Sequence, residues 1–141
     1  MAEFLLMPPI LFGLAIGLYE TIFMTMGMGI MSYKFKYGLQ AMIFSIIFAF
    51  ASMNSGFVIG AVPFFSGIPF VNTALGFGLV VSIIAGLKVG IVSLILSNMG
   101  MSGNVYGAQR WIHSFVAAAL VFAAPYAFPF VSNILPEFLR A

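Results

Sequence analysis

The alternation of apolar and polar positions that marks a half-wetted helix or strand is missing from most of this chain. Apolar residues instead run on for long stretches, interrupted by short clusters of Gly, Pro, Asn and Lys. A helix that crosses the hydrocarbon core of a bilayer, about 30 Å thick, needs about 20 predominantly apolar residues. Four stretches meet that length, over about residues 8–30, 38–59, 73–96 and 110–132. The pattern therefore predicts an all-α integral membrane protein: four transmembrane helices in two hairpins, forming a single domain over residues 1–141 with no soluble domain.

Local signals agree with these limits. Pro8 and Pro9 fall in the first turn of the first helix, where a missing N–H does no harm. Asn72 is placed to cap the third. Pro125 and Pro129 fall inside the fourth and should kink its last part. The first nine residues carry Glu3 and no basic residue, and they lead into an apolar run too long for a signal peptide, so they read as a retained first helix.

Composition turns this pattern into a statement about solvent. Of 141 residues, 63% are hydrophobic and 6% charged, against about 25% charged in soluble domains, and the mean hydropathy is +1.19. So few charges cannot cover a water-facing surface, and a net charge of +2 is too small for the basic face that nucleic acid requires. Membrane lipids and other membrane protein subunits are the expected partners, with no nucleic acid. Lys34, Lys36 and Arg110 lie at one end of the helices and Arg140 at the other. The excess of cytoplasmic Lys and Arg in membrane proteins then puts both hairpin loops in the cytoplasm and both termini outside.

Around those basic residues, Tyr33 to Tyr37 alternate aromatic and basic side chains, and Arg110 is followed by Trp111. Lys34, Lys36, Arg110 and Trp111 are thus candidate lipid anchors at an anionic leaflet. The connection over residues 60–72 carries no charge but includes Phe64, Phe65 and Phe70. It reads either as an interfacial segment or as a surface buried against another subunit.

Two ionisable residues fall within the apolar runs. Glu20 and Lys88 lie 10 and 8 residues from the same predicted end of their helices, a depth difference of about 3 Å at about 1.5 Å per residue. An ion pair is geometrically open to them, either as a proton or cation site or as a structural pair. Gly13, Gly17, Glu20, Met24, Gly27 and Met31 share one face of the first predicted helix. Gly13 and Gly17 form a GxxxG pair, as do Gly86 and Gly90, which continue a seam of small residues that includes Gly78 and Ser82. Lys88 points about 200° away from Gly86. If that seam met the first helix, Lys88 could not readily face Glu20; if another helix or subunit filled the seam, the pairing would survive.

Of ten methionines, Met24, Met26, Met28, Met31, Met42, Met99 and Met101 are expected near the cytoplasmic side, together with His113. Thioethers and imidazole suit Cu(I), which makes Met24, Met28, Met31, Met99, Met101 and His113 candidate soft-metal ligands. Flexible packing is the competing use of methionine, and no cofactor is otherwise expected. Cysteine and aspartate are absent, and no hydrolytic triad, phosphate loop or carboxylate cluster can be assembled, so autonomous catalysis is not expected. Three functions remain: an accessory, structural subunit of a larger membrane complex; a small oligomeric transporter or channel using Glu20 with Lys88; or copper handling and support of a metalloenzyme.

Overall fold

The computed structural model describes residues 4–25, 31–98 and 107–140, with the side chains of 24, 25, 31–34, 97, 98 and 107–110 outside that description. Among the described residues all regular structure is helical. The elements are α1 (Met7–Thr25), α2 (Met31–Met53), α3 (Ser55–Ala61), α4 (Pro63–Ser66), α5 (Ala74–Asn98) and α6 (Gly107–Ser132), followed by a 3-10 turn, Glu137–Leu139. Three helices are long and apolar enough to cross a membrane: α2 over Phe35–Met53, α5 over Ala74–Leu96 and α6 over Trp111–Ser132. A shorter apolar helix, Met7–Phe23, lies within α1. The expected inner end of the first helix, residues 26–30, lies outside the described residues.

Three local features differ from the sequence reading. The second helix begins at Met31 instead of near Gly38, so the aromatic and basic residues expected in a connection form its first turns. It is interrupted at Asn54 and resumes as α3 at Ser55. The Asn54 N–H is bonded to the Phe50 carbonyl and its own carbonyl accepts from the Val58 N–H, while the Asn54 side chain reaches the segment around Leu5. The Asn54 amide accepts from the Leu5 N–H at 2.7 Å and donates to the Leu5 carbonyl at 2.8 Å, filling the hydrogen-bonding role that a backbone amide would otherwise have. The cap of α5 is Thr73, not Asn72: its hydroxyl accepts from the Gly76 N–H at 3.0 Å, an N-cap to N3 bond.

Antiparallel pairing of α1 with α2, and of α5 with α6, gives the most extensive packing. Residues at 5 and 54, 13 and 46, 17 and 42, and 21 and 38 meet in sequence along the first pair. The beginning of α1, the connection between α2 and α5 and the terminal turn gather at one end of the bundle. There Phe4 packs edge-on against Phe50 and Phe57, and the turn touches α1.

Small residues make up much of the interior, beside larger buried side chains such as Ile16, Phe77, Leu96 and Val121. Ala41, Ser45, Ala49, Ala85, Ser114, Ala117 and Ala124 are buried, while Ile47, Leu87, Ile91 and Phe115 face outward. Water would disfavour that distribution; lipid does not, and small interior residues let helix backbones approach closely. Pro125 and Pro129 both lie within α6, which continues to Ser132. Pro125 has no N–H for the carbonyl of Val121, four residues earlier, and that buried carbonyl accepts instead from the Ser52 hydroxyl of α2 at 3.0 Å.

Candidate functional site

The GxxxG pair of α1 sets the geometry of the site. A β-carbon on Gly17 would sit 2.6 Å from the Met42 α-carbon, and one on Gly13 would overlap the backbone of Ile46. Both positions require the hydrogen atom that glycine offers, and the two backbones meet there. One turn beyond Gly17, Glu20 is carried into the bundle and is only 3% exposed. Its side chain leans back toward the start of α1, where Ser45, the only polar residue between Ala41 and Ala51, projects from α2.

Ser45 donates its hydroxyl to Glu20 Oε1 at 2.8 Å, and Lys88 Nζ of α5 donates to Oε2 at 3.3 Å. The same ammonium stands 5.1 Å from the centre of the Phe44 ring, close enough for the ring face to attract it. Each carboxylate oxygen therefore has a donor, and the ammonium lies between a carboxylate and an aromatic ring. A lone charge in hydrocarbon is expensive, whereas a paired and hydrogen-bonded one is tolerated.

The seam on α5 makes this pairing possible by facing elsewhere. A β-carbon at Gly86 would lie 3.0 Å from Ala118, and one at Gly90 would lie 3.1 Å from Ser114 Oγ and from the Trp111 ring, so both glycines pack on α6. Gly78 lies between Ser52 and Phe122 with more room, and Ser82 turns its hydroxyl back to the Gly78 carbonyl. With α6 in the seam, Lys88 is free to face α1 and α2.

Tyr19, next to Glu20, points about 100° around the helix and meets α6, where its hydroxyl lies 3.1 Å from His113 Nδ1. Phe23 packs 4.2 Å from the His113 ring. Thr21 completes the set with bonds from its hydroxyl to the carbonyls of Gly17 at 2.7 Å and Gly38 at 3.2 Å. Three consecutive turns of α1, from Gly13 to Phe23, thus supply polar or close-packed links to α2, α5 and α6.

Other candidates are not brought to this centre. Lys36 is exposed beside the Tyr37 ring, and Trp111 is 50% exposed. The side chains of Lys34, Arg110, Met24 and Met31, and all of Met28, Met99 and Met101, lie outside the described residues. Among the described residues no three of His, Asp and Glu cluster as metal ligands. Sequence reasoning missed Ser45, Tyr19, Phe44 and Asn54. An isolated hydroxyl in an apolar run was the available signal for Ser45, while nothing in the sequence distinguishes Phe44 from the other phenylalanines.

The fold and this site define a helical bundle for a membrane, with an ion pair enclosed among three helices. The chain matches no protein-family model, no curated protein and no solved structure.

Proposed function

We propose that the chain is a four-span membrane protein that serves as an accessory, structural subunit of a larger membrane complex. One observation carries this reading: the Glu20 carboxylate is committed on both oxygens, to Ser45 and to Lys88, at 3% exposure. Such a group fixes which helices are neighbours, and the grooves beside α6 are lined by apolar side chains. The described part of α1, at 19 residues, extends about 28 Å, close to the hydrocarbon thickness, which supports a fourth span. Both hairpin loops are assigned to the cytoplasm from Lys34, Lys36 and Arg110.

Purification from native membranes in mild detergent, followed by mass spectrometry, tests the reading. Stoichiometric larger partners are expected, and a homo-oligomer alone would overturn it.

A second reading, a small oligomeric transporter or channel, draws on the position of an acid and a base within apolar helices. Glu20→Gln separates the two. Abolished ion flux in liposomes with assembly intact selects transport, whereas lost co-purification of partners with no flux to lose selects the structural role.

A further inference from the structure

The seam between α1 and α6 is bridged by side chains at one end of the bundle and holds a groove nearer the other, where the terminal turn also touches α1. Toward the cytoplasmic end proposed above, Tyr19 and His113 bridge the helices and Phe23 covers the histidine ring. Past Leu120 the helices part around a groove of about 320 Å³ whose walls include Phe12, Ala15 and Ala123. A second groove of about 310 Å³ shares Phe12 and Ala15 and adds Val131 and Leu135, so the two adjoin along α1 and are treated together as one cleft.

From Leu120 to Val131 along α6 is 11 residues, or about 16 Å, half of a hydrocarbon core of about 30 Å. The cleft has the depth of a single leaflet. A spanning partner helix would need a seam open through the whole thickness; one hydrocarbon chain of a lipid needs half.

A cation stands where the headgroup of such a lipid would lie. Arg140 donates Nε to the carbonyl of Leu135, which lines the cleft, at 2.7 Å. That bond holds the guanidinium beside the cleft's outer end, and the residue is exposed. Among the described residues Glu20–Lys88 is the only ion pair, so Arg140 is in no direct pair with a described carboxylate, the nearest in sequence being Glu137 on the same turn. An apolar channel one leaflet deep with a guanidinium at its mouth is complementary to a hydrocarbon chain joined to a phosphate.

We infer that the cleft between α1 and α6 is a binding site for one phosphate-headed membrane lipid, with a hydrocarbon chain along Phe12, Ala15 and Ala123 and the phosphate at Arg140. This inference rests on the reading of the chain as membrane-spanning, and resistance of the unsubstituted protein to alkaline extraction from membranes checks that reading separately.

The chain's single tryptophan allows a site-specific test. In a Trp111→Phe, Phe12→Trp variant, the new indole reports on the cleft when phosphatidylglycerol with brominated chains is titrated into detergent micelles. Saturable quenching at about one lipid per chain is expected. Arg140→Gln, or replacement of the phospholipid by brominated diacylglycerol, should raise the half-saturating lipid about fivefold. Ala123→Phe should remove the saturable phase, with the helical circular dichroism unchanged as evidence of folding. Quenching that rises without saturation and is identical in all variants would mean bulk lipid alone and would overturn the site. Absence of quenching together with a dimeric mass would overturn it in favour of a second copy in the cleft. Extraction of the unsubstituted chain by alkali would instead refute the membrane reading.

Discussion

Removing Lys88 while leaving Glu20 tests the central ion pair. In Lys88→Met the side-chain length is nearly kept, but the carboxylate retains only the Ser45 donor at 2.8 Å. At 3.3 Å separation the lost attraction is about 5 kcal/mol for an effective dielectric constant of about 20. Part of it is offset because an ammonium no longer has to be buried. Losing one member of a buried pair costs about 3–5 kcal/mol in measured cases, whereas replacing both members with well-packed neutral side chains is often neutral or stabilising. Lys88→Met is therefore expected to lower the unfolding free energy by about 3–5 kcal/mol, and Glu20→Gln together with Lys88→Met to recover most of that loss. Reversible unfolding in mixed micelles titrated with sodium dodecyl sulfate, followed by circular dichroism, measures both. A loss below about 1 kcal/mol for the single variant, the scale of an exposed pair, would refute the reasoning. So would a double variant less stable than the single one, because the cost would then not come from an uncompensated charge.

The remaining predictions use the same unfolding assay. Gly17→Ala should destabilise by about 1–3 kcal/mol, the usual cost of overpacking, because the added carbon would fall 2.6 Å from Met42 Cα. Gly60→Ala, which meets nothing within 4 Å, should be neutral or stabilising by up to about 1 kcal/mol. Ser52→Ala should cost about 1–3 kcal/mol by leaving the Val121 carbonyl without a donor, and that loss should shrink when Pro125→Ala restores the missing N–H. Asn54→Ala should release the segment around Leu5, seen as faster cleavage near the N-terminus by an added protease.

Alanine at Gly17 and at Gly60 shows why the tests come in contrasting pairs. The two glycines are equivalent in composition, yet one lies at a helix crossing and the other in open space. The same contrast separates Ser45 from Ser66. Ser45 is buried against a carboxylate, while Ser66 is exposed and bonds the Pro63 carbonyl three residues away.

The run lengths and the scarcity of charge determined the solvent, the helical class and the approximate extent of the long helices, because each depends only on how apolar residues follow one another. The 3- and 4-residue spacing of Gly13, Gly17 and Glu20 placed them on one face, and similar depth made a pair of Glu20 with Lys88 possible. Which helix fills which seam was decided by the tertiary structure. Gly86 and Gly90 face α6, and that orientation turns Lys88 toward Glu20. Ser45, Phe44 and Tyr19 join the centre by the same route, through contacts between helices separated by many residues. Periodicity fixes the direction of a side chain relative to its own helix axis. The rotation of one helix against another follows from close packing, and the residues that settle it lie on both.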